Sequence, residues 1–334
     1  MDWLLPARWG HCVGMRDFRF SFNIFGISSR QAFVDECREA EGYGYDTVFA
    51  ADHLGIPAPF PLLIAAAEAT TRLRVGTLVL NAAFWNSALL AREVATTDIL
   101  TDGRLELGLG SGHMKWEFDE AGIEWLPSAA RAARLAEMIK DLQRYFSTDL
   151  EQMRGSRTAP KPVQRAGFGG FGPPLVVGGT GDAVLRIAAE HAQIVGVAGV
   201  YQVKGQAPGT FRLASVAEAD ERMQFARKYA GARADDIEWH LLVQAVTVTD
   251  DRHAAAEELV AEHRAAAEKA GVTDERAVLS AEEALETPYL LIGTVDEIAA
   301  QLRGLRERWG YSYITVHEPY MRAFAPVIER LRGQ

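Results

Sequence analysis

Leu73-Arg-Val-Gly-Thr-Leu-Val-Leu80 is apolar along nearly its whole length, with one charge at Arg74. A strand with one wet face alternates polar and apolar residues. A near-continuous apolar run is what a parallel sheet covered on both faces requires. On either side the pattern switches to helix. An alanine-rich stretch from Pro57 to Thr70 precedes the run, and Ala88 to Leu100 follows it. Beyond these lie two more strand-like runs, Asp46-Thr-Val-Phe-Ala50 and Arg104-Leu-Glu-Leu-Gly-Leu109. The centre of the first half therefore reads strand, helix, strand, helix, strand.

The same alternation extends to both ends. Phe18-Arg-Phe-Ser-Phe-Asn-Ile-Phe25 alternates as a strand and stops at Gly26. Ser28-Ser-Arg-Gln31 fits a capping box opening a helix, which Gly42 and Gly44 close. Further on, Leu135, Met138, Ile139, Leu142 and Phe146 mark one helical face. Leu175-Val-Val177 and Ile194-Val-Gly-Val197 are strands, with a helix from Ala183 to His191 between them. A helix from Ala217 to Tyr229, a strand from His240 to Val248 and a helix from Ala254 to Ala270 follow. A second capping box, Thr294-Val-Asp-Glu297, opens a helix with the stripe Ile298, Leu302, Leu305 and Trp309. Tyr311 to Val316 is the last strand and Met321 to Leu331 the last helix.

Eight strand-then-helix units predict an α/β fold of the (β/α)₈ TIM barrel kind. The predicted strands are 18–25, 46–50, 73–80, 104–109, 175–178, 194–197, 240–248 and 311–316. A doubly wound open sheet is the other architecture with this alternation. The count of eight, and the lack of a G-x-G-x-x-G after the first strand, favour the barrel. Residues 1–17 read as an amino-terminal tail, with Met15 an alternative start, and 18–334 as one barrel domain. Three stretches, 111–127, 147–173 and 271–290, are too long for barrel loops and read as insertions at the carboxyl face. The middle one carries Gly167-Phe-Gly-Gly-Phe-Gly172, which suits a flexible lid or a solvated connector.

Composition sets outer limits. Of 334 residues, 48% are apolar, enough for a sizeable core. The net charge of −10 argues against a general nucleic-acid binder. Cys12 and Cys37 have neither zinc spacing nor a disulfide framework, so no metal is expected; Cys37 falls on an apolar stripe with Phe33 and Ala40. No apolar run reaches the roughly 18 to 20 residues of a membrane span, and the opening stretch has no signal-like core. A cytoplasmic location is the expectation.

Reactive groups of such a barrel sit just past the carboxyl ends of its strands. Four places qualify. Asp52-His53 follows the second strand, where an imidazole can exchange a proton with a bound ring; the alternative is a hydrophilic pair capping the next segment. Gly76-Thr-Leu-Val-Leu-Asn81 ends the third with no charge, and is either an apolar backing for a flat ring or a plain buried strand. Gly108-Leu-Gly-Ser-Gly-His113 ends the fourth; its glycines admit close approach to the backbone, and His113 is a second titratable group, although such a run also suits a tight turn. Val176-Val-Gly-Gly-Thr-Gly-Asp182 runs into a helix, where unpaired backbone N–H groups and the dipole favour an anion and Thr180 adds a hydroxyl; an ordinary capped turn is the alternative. His253 and His263 lie on a charged helix, and His240 begins a strand.

These segments, in this order, resemble the luciferase-like monooxygenase superfamily over nearly the whole chain, about Phe18 to Leu331. The resemblance is carried by Tyr45-Asp-Thr-Val-Phe-Ala-Ala-Asp-His53, Leu73–Leu80, Asp102-Gly-Arg-Leu-Glu-Leu-Gly-Leu-Gly-Ser-Gly112, Val177-Gly-Gly-Thr-Gly181 and Tyr289-Leu-Leu-Ile-Gly-Thr-Val-Asp-Glu-Ile-Ala299. It leans toward the deazaflavin (coenzyme F420) branch. That implies Asp52 and His53 at the cofactor ring, with His53 and then His113 as catalytic candidates. It also implies a non-proline cis peptide at Leu78-Val79 backing the ring, Ser111 beside it, and Gly178, Gly179 and Thr180 on the phosphate. Sugar-phosphate dehydrogenases of that branch place a glutamate after the fourth-strand glycines, where this chain has His113, so their substrate is not expected. The expected activity is F420-dependent hydride transfer with an unidentified small organic substrate, by a homodimer. An FMN-dependent monooxygenase and a non-catalytic flavin-binding protein are the alternatives. A Schiff-base aldolase is disfavoured, because Lys115 and Lys204 lie several residues past any strand end.

Overall fold

The computed structural model describes residues 16–148, 159–272, 274 and 277–334. Nearly all of the tail expected at 1–17, and Cys12 with it, lies outside the described residues. Eight parallel strands form the barrel: β1 (Arg19–Ile24), β2 (Thr47–Ala50), β3 (Arg74–Thr77), β4 (Leu105–Gly110), β5 (Leu175–Gly179), β6 (Ile194–Val197), β7 (Glu238–Leu242) and β8 (Tyr311–His317). Each pairs with its chain neighbour, and β8 returns to β1 through Arg19↔Tyr313 to Asn23↔His317, which closes the ring. The helices outside are α1 (Arg30–Tyr43), α2 (Pro59–Ala69), α3 (Ser87–Leu100), α4 (Ser128–Ser147), α5 (Asp182–His191), α6 (Val216–Ala230), α7 (Val295–Trp309) and α8 (Met321–Leu331). The predicted TIM barrel is thus the observed fold.

Four local expectations are corrected. The helix cap of α1 is Ser29, whose Oγ accepts from Ala32 N at 3.1 Å, while Gln31 turns to Asp35; no capping box forms there. The box at Thr294 and Glu297 does form. The strand expected at 73–80 is interrupted after Thr77 by a cis peptide at Leu78-Val79 and resumes as Leu80–Asn81. The strand expected at 240–248 is two strands. After Leu242 the chain leaves the barrel, and Ala245–Val248 pairs in parallel with Leu290–Gly293. Ala245 buries in a satellite cluster with Ala256, Val260, Ala284, Leu290 and Ile292, while Val246 and Leu291 stay in the main core, so apolar character continues across the break and conceals it.

The fourth correction concerns the glycine-rich segment. Gly167 to Gly172 closes on itself as a turn, and Phe168 is buried against Phe146, ring centroids 5.2 Å apart. Nearby, the N–H groups of Val163 and Gln164 bond Asp98 Oδ2, and Gln164 Nε2 donates to Leu105 O, where β4 begins. The described part of this insertion therefore lies under the amino ends of the strands and cannot cover the carboxyl-end mouth.

The barrel interior is partly polar. Glu106, fully buried, accepts from Arg19 at 2.5 Å, Arg74 at 2.7 Å and Tyr313 OH at 2.8 Å. Burial works against its charge, but the two guanidiniums hold its carboxyl below the usual range. One level up, His240 Nε2 meets Thr315 Oγ1 at 2.6 Å. Burial pushes His240 down to about 4. An unfolded histidine titrates near 6.5, so between about pH 6.5 and 4 the unfolded chain binds more protons, and stability falls as pH falls. Urea unfolding across that window is expected to show a steep loss for the native chain, and a shallower one for His240→Gln. Equal slopes would mean that His240 does not contribute.

Candidate active site

The carboxyl ends of the strands form the mouth. Above Phe49, Val176, Ile194 and Tyr313, a buried cluster from β2, β5, β6 and β8, packs the half-exposed Leu78. Leu78 and Val79, joined by the cis peptide, make an apolar ledge on top of the barrel filling. Two glycines of β4 admit that ledge. A Cβ on Gly108 would stand 1.9 Å from Thr77 O, and one on Gly110 2.6 Å from Val79 Cγ2. This is the physical reason for the alternating glycines in the fourth strand. Ser111, next in the chain, is partly exposed beside them.

Asp52 ties β2 to the loop after the ledge. Its Oδ2 accepts from Asn81 N at 3.1 Å and Trp85 Nε1 at 2.9 Å. Burial raises its pKa, and those two donors partly offset the rise. With its carboxylate committed in this way, Asp52 shapes the loop that carries the ledge. Asn81 Nδ2, also buried here, has no partner among the described residues.

His53 and His113 come together, ring centroids 5.3 Å apart and nearly perpendicular. Behind His53 stands Glu117, from the short helix Lys115–Glu120. Its Oε1 meets His53 Nδ1 at 2.8 Å and accepts Leu54 N–H at 3.2 Å. Glu117 is only 2% exposed, so it addresses the imidazole and not the open pocket. The carboxylate orients the ring and favours the proton on Nδ1, which leaves Nε2 as the exchanging atom. His113 differs: the residue is exposed, yet protein crowded around its ring desolvates it, and that, with the neighbouring His53 and Arg131 adding to the effect, pushes it down to about 4. It is a neutral imidazole at cell pH.

Gly178 and Gly179 end β5, and α5 starts at Asp182 with Gly181 as its cap. The half-exposed turn leaves the first N–H groups of α5 facing outward. One detail departs from expectation. Thr180 Oγ1 donates its proton to Val200 O at 2.9 Å, so the hydroxyl can offer a ligand only its lone pairs. Asp182, in the first turn, is held by Arg222 at 2.5 Å.

Sequence reasoning missed several residues at the mouth. Glu117 and Trp85 carry no local signal, since their partners are distant in the chain. His317, ending β8, bonds Asn23 Oδ1 through Nδ1 at 2.9 Å. Phe211 belongs to an antiparallel hairpin, Val200–Gln202 with Phe211–Leu213, that lies in the connection after β6. Among the described residues, no group of histidines, cysteines and acids could hold a metal ion, and no helix is long and apolar enough to cross a membrane.

The profile of the family described as luciferase-like monooxygenase matches residues 26–312. The chain belongs to that family. Among curated relatives, it is 37% identical to an F420-dependent glucose-6-phosphate dehydrogenase of Amycolatopsis mediterranei over 131 residues, 36% of this chain and 39% of that protein. It is 28% identical to the oxygenase component of a flavin-dependent trigonelline monooxygenase of Acinetobacter baylyi over 143 residues, 40% and 39% of the two chains. These matches span about two fifths of each relative's length. In structure, an EDTA monooxygenase from Chelativorans sp. BNC1 superposes with a TM-score of 0.70, covering 95% of this chain and 93% of that one at 14% identity, a likeness of fold alone.

Proposed function

We propose that this luciferase-like chain is an F420-dependent oxidoreductase that moves a hydride between the deazaflavin and a small organic substrate. The observation that carries the reading is the pair of imidazoles beside the Leu78-Val79 ledge, one of them backed by a buried carboxylate. When bound, the deazaflavin supplies the hydride acceptor or donor. The chain's part is to hold a flat ring and to manage one proton. Leu78 and Val79 back the ring, the glycines of β4 let it approach, and Ser111 and Asn81 offer polar contacts at its edge. Gly178, Gly179 and the N–H groups opening α5 take the phosphate, where an anion meets unpaired donors and the helix dipole. His53, steadied by Glu117, gives or takes the accompanying proton at Nε2. Neutral His113 serves as a hydrogen-bonding partner to the substrate. A cytoplasmic homodimer is part of the same proposal.

The FMN-dependent reading is supported by the trigonelline monooxygenase relative, and a flavin-binding protein without turnover would share the same ledge and turn. Titration of the purified protein with F420 and with FMN, followed by absorbance and fluorescence, separates them. Micromolar F420 binding with weak FMN binding is expected; the reverse would replace the proposal by the monooxygenase. Tight uptake of either without turnover over a substrate panel would leave the binding protein.

The phosphate assignment has its own test. A bulky residue at Gly179 would push its Cβ to 2.8 Å from Val184 Cγ1 and block the turn. F420 affinity is expected to fall at least about tenfold, roughly 1.4 kcal/mol. Unchanged affinity in a folded Gly179→Leu protein would assign the phosphate elsewhere.

A further inference from the structure

The hairpin after β6 reaches across to the loop after β4. The Phe211 and His113 rings are 5.4 Å apart at 65°, so His53, His113 and Phe211 form a chain of edge-to-face rings from three different strand connections. In the loop of the same hairpin, Gly209 sits so close to Met114 that a Cβ there would lie 3.0 Å from the thioether sulfur, at a φ of +102°. Phe211 is half-buried, so part of its ring stays open beside the imidazole. Two large apolar side chains near these residues in sequence are exposed: Leu54, next to His53, at 47%, and Trp116, two residues after Met114, at 51%. Exposed large apolar side chains grouped beside a reactive pair mark a ligand surface.

Three cations on or beside the same elements are already paired with carboxylates. Arg212 makes two bonds to Glu218, at 2.9 and 2.5 Å; Arg222 holds Asp182; Lys115 holds Asp119. Arg131 lies over the Trp125 ring, 3.7 Å from its centroid. Lys204, exposed at the hairpin tip, has its charge in water. A phosphorylated or carboxylated substrate placed against the ring wall would lose hydration and find, among the described residues, only Arg131 and Lys204 without a carboxylate partner, whereas an uncharged ring would gain by burial against Phe211 and His113.

We propose that the wall made by His113, Met114 and Phe211 binds an uncharged aromatic or alicyclic substrate, and that Phe211 selects it. This rests on the mouth being the reaction site of the proposed F420 enzyme. The test uses 2-naphthol as the aromatic probe and glucose 6-phosphate as the charged one, each titrated by calorimetry into the protein with and without F420. F420 affinity is read separately by fluorescence. Saturable 2-naphthol binding is expected, weakened at least about tenfold by Phe211→Ala and less by Phe211→Leu, with F420 affinity unchanged in both variants and no glucose 6-phosphate binding. Phe211→Leu keeps the bulk under the hairpin, so the comparison survives if the alanine variant misfolds. Saturable glucose 6-phosphate binding, or 2-naphthol affinity indifferent to both substitutions, overturns the proposal. Absent F420 binding with Phe211-dependent 2-naphthol binding supports the substrate class and removes the F420 reading alone.

Discussion

Replacing His53 by alanine is expected to lower turnover by about 10² or more, with the fold retained. The imidazole is partly exposed at the mouth, so its loss leaves no large cavity. What disappears is a proton carrier at the mouth with a buried carboxylate behind it, Glu117 Oε1 at 2.8 Å. His113 is a poor substitute, because a group pushed down to about 4 carries almost no proton at neutral pH. His113→Ala should therefore cost less than His53→Ala. The measurement is the rate of F420 oxidation or reduction with any substrate that supports it, alongside a thermal melt. Near-normal turnover by His53→Ala, with a large loss in His113→Ala, would reverse the two roles.

Gly108→Ala is expected to be the most destabilising small substitution at the mouth. Its Cβ would stand 1.9 Å from Thr77 O and 3.1 Å from Val79 Cγ1, and backbone in a neighbouring strand cannot yield as a side-chain tip can. The two residues are also locked by Gly108 N donating to Thr77 Oγ1 at 2.8 Å and that hydroxyl donating to Gly108 O at 2.9 Å. Forcing them apart should cost at least about 3 kcal/mol, the upper end of ordinary overpacking. Because Thr77 directly precedes the ledge, F420 affinity should fall as well. Urea unfolding and F420 titration check both effects. A variant with native stability would mean that β3 and β4 are not in this close contact.

Much of this architecture was legible in the chain because it is encoded over short distances. The apolar run at 73–80 and its helical flanks specify covered parallel strands through side-chain period alone, and eight repeats of that unit favour closure. The capping pair Thr294 and Glu297 spans three residues and was legible for the same reason. At the start of α1 the same motif misled. Ser28 and Ser29 are adjacent, and only the path of the chain from Gly26 decides which one caps.

By itself the sequence determined the barrel, the positions of Asp52, His53 and His113 just past strand ends, and, through resemblance, the ledge at Leu78-Val79. Tertiary structure alone decided what those residues meet. Glu117 lies 64 residues from His53, and nothing within a helical turn of either announces the other. Phe211 reaches His113 because a hairpin after β6 bends over the mouth. The glycine-rich turn at 167–172 has the composition of a lid but sits under the opposite end of the barrel, since Phe168 buries against Phe146 and Asp98 ties down the backbone before it. Strand seven ends early because Ala245–Val248 leaves the barrel and pairs with Leu290–Gly293. Periodicity and caps are local free-energy preferences of a few residues, whereas these contacts depend on which distant surfaces barrel closure brings within reach.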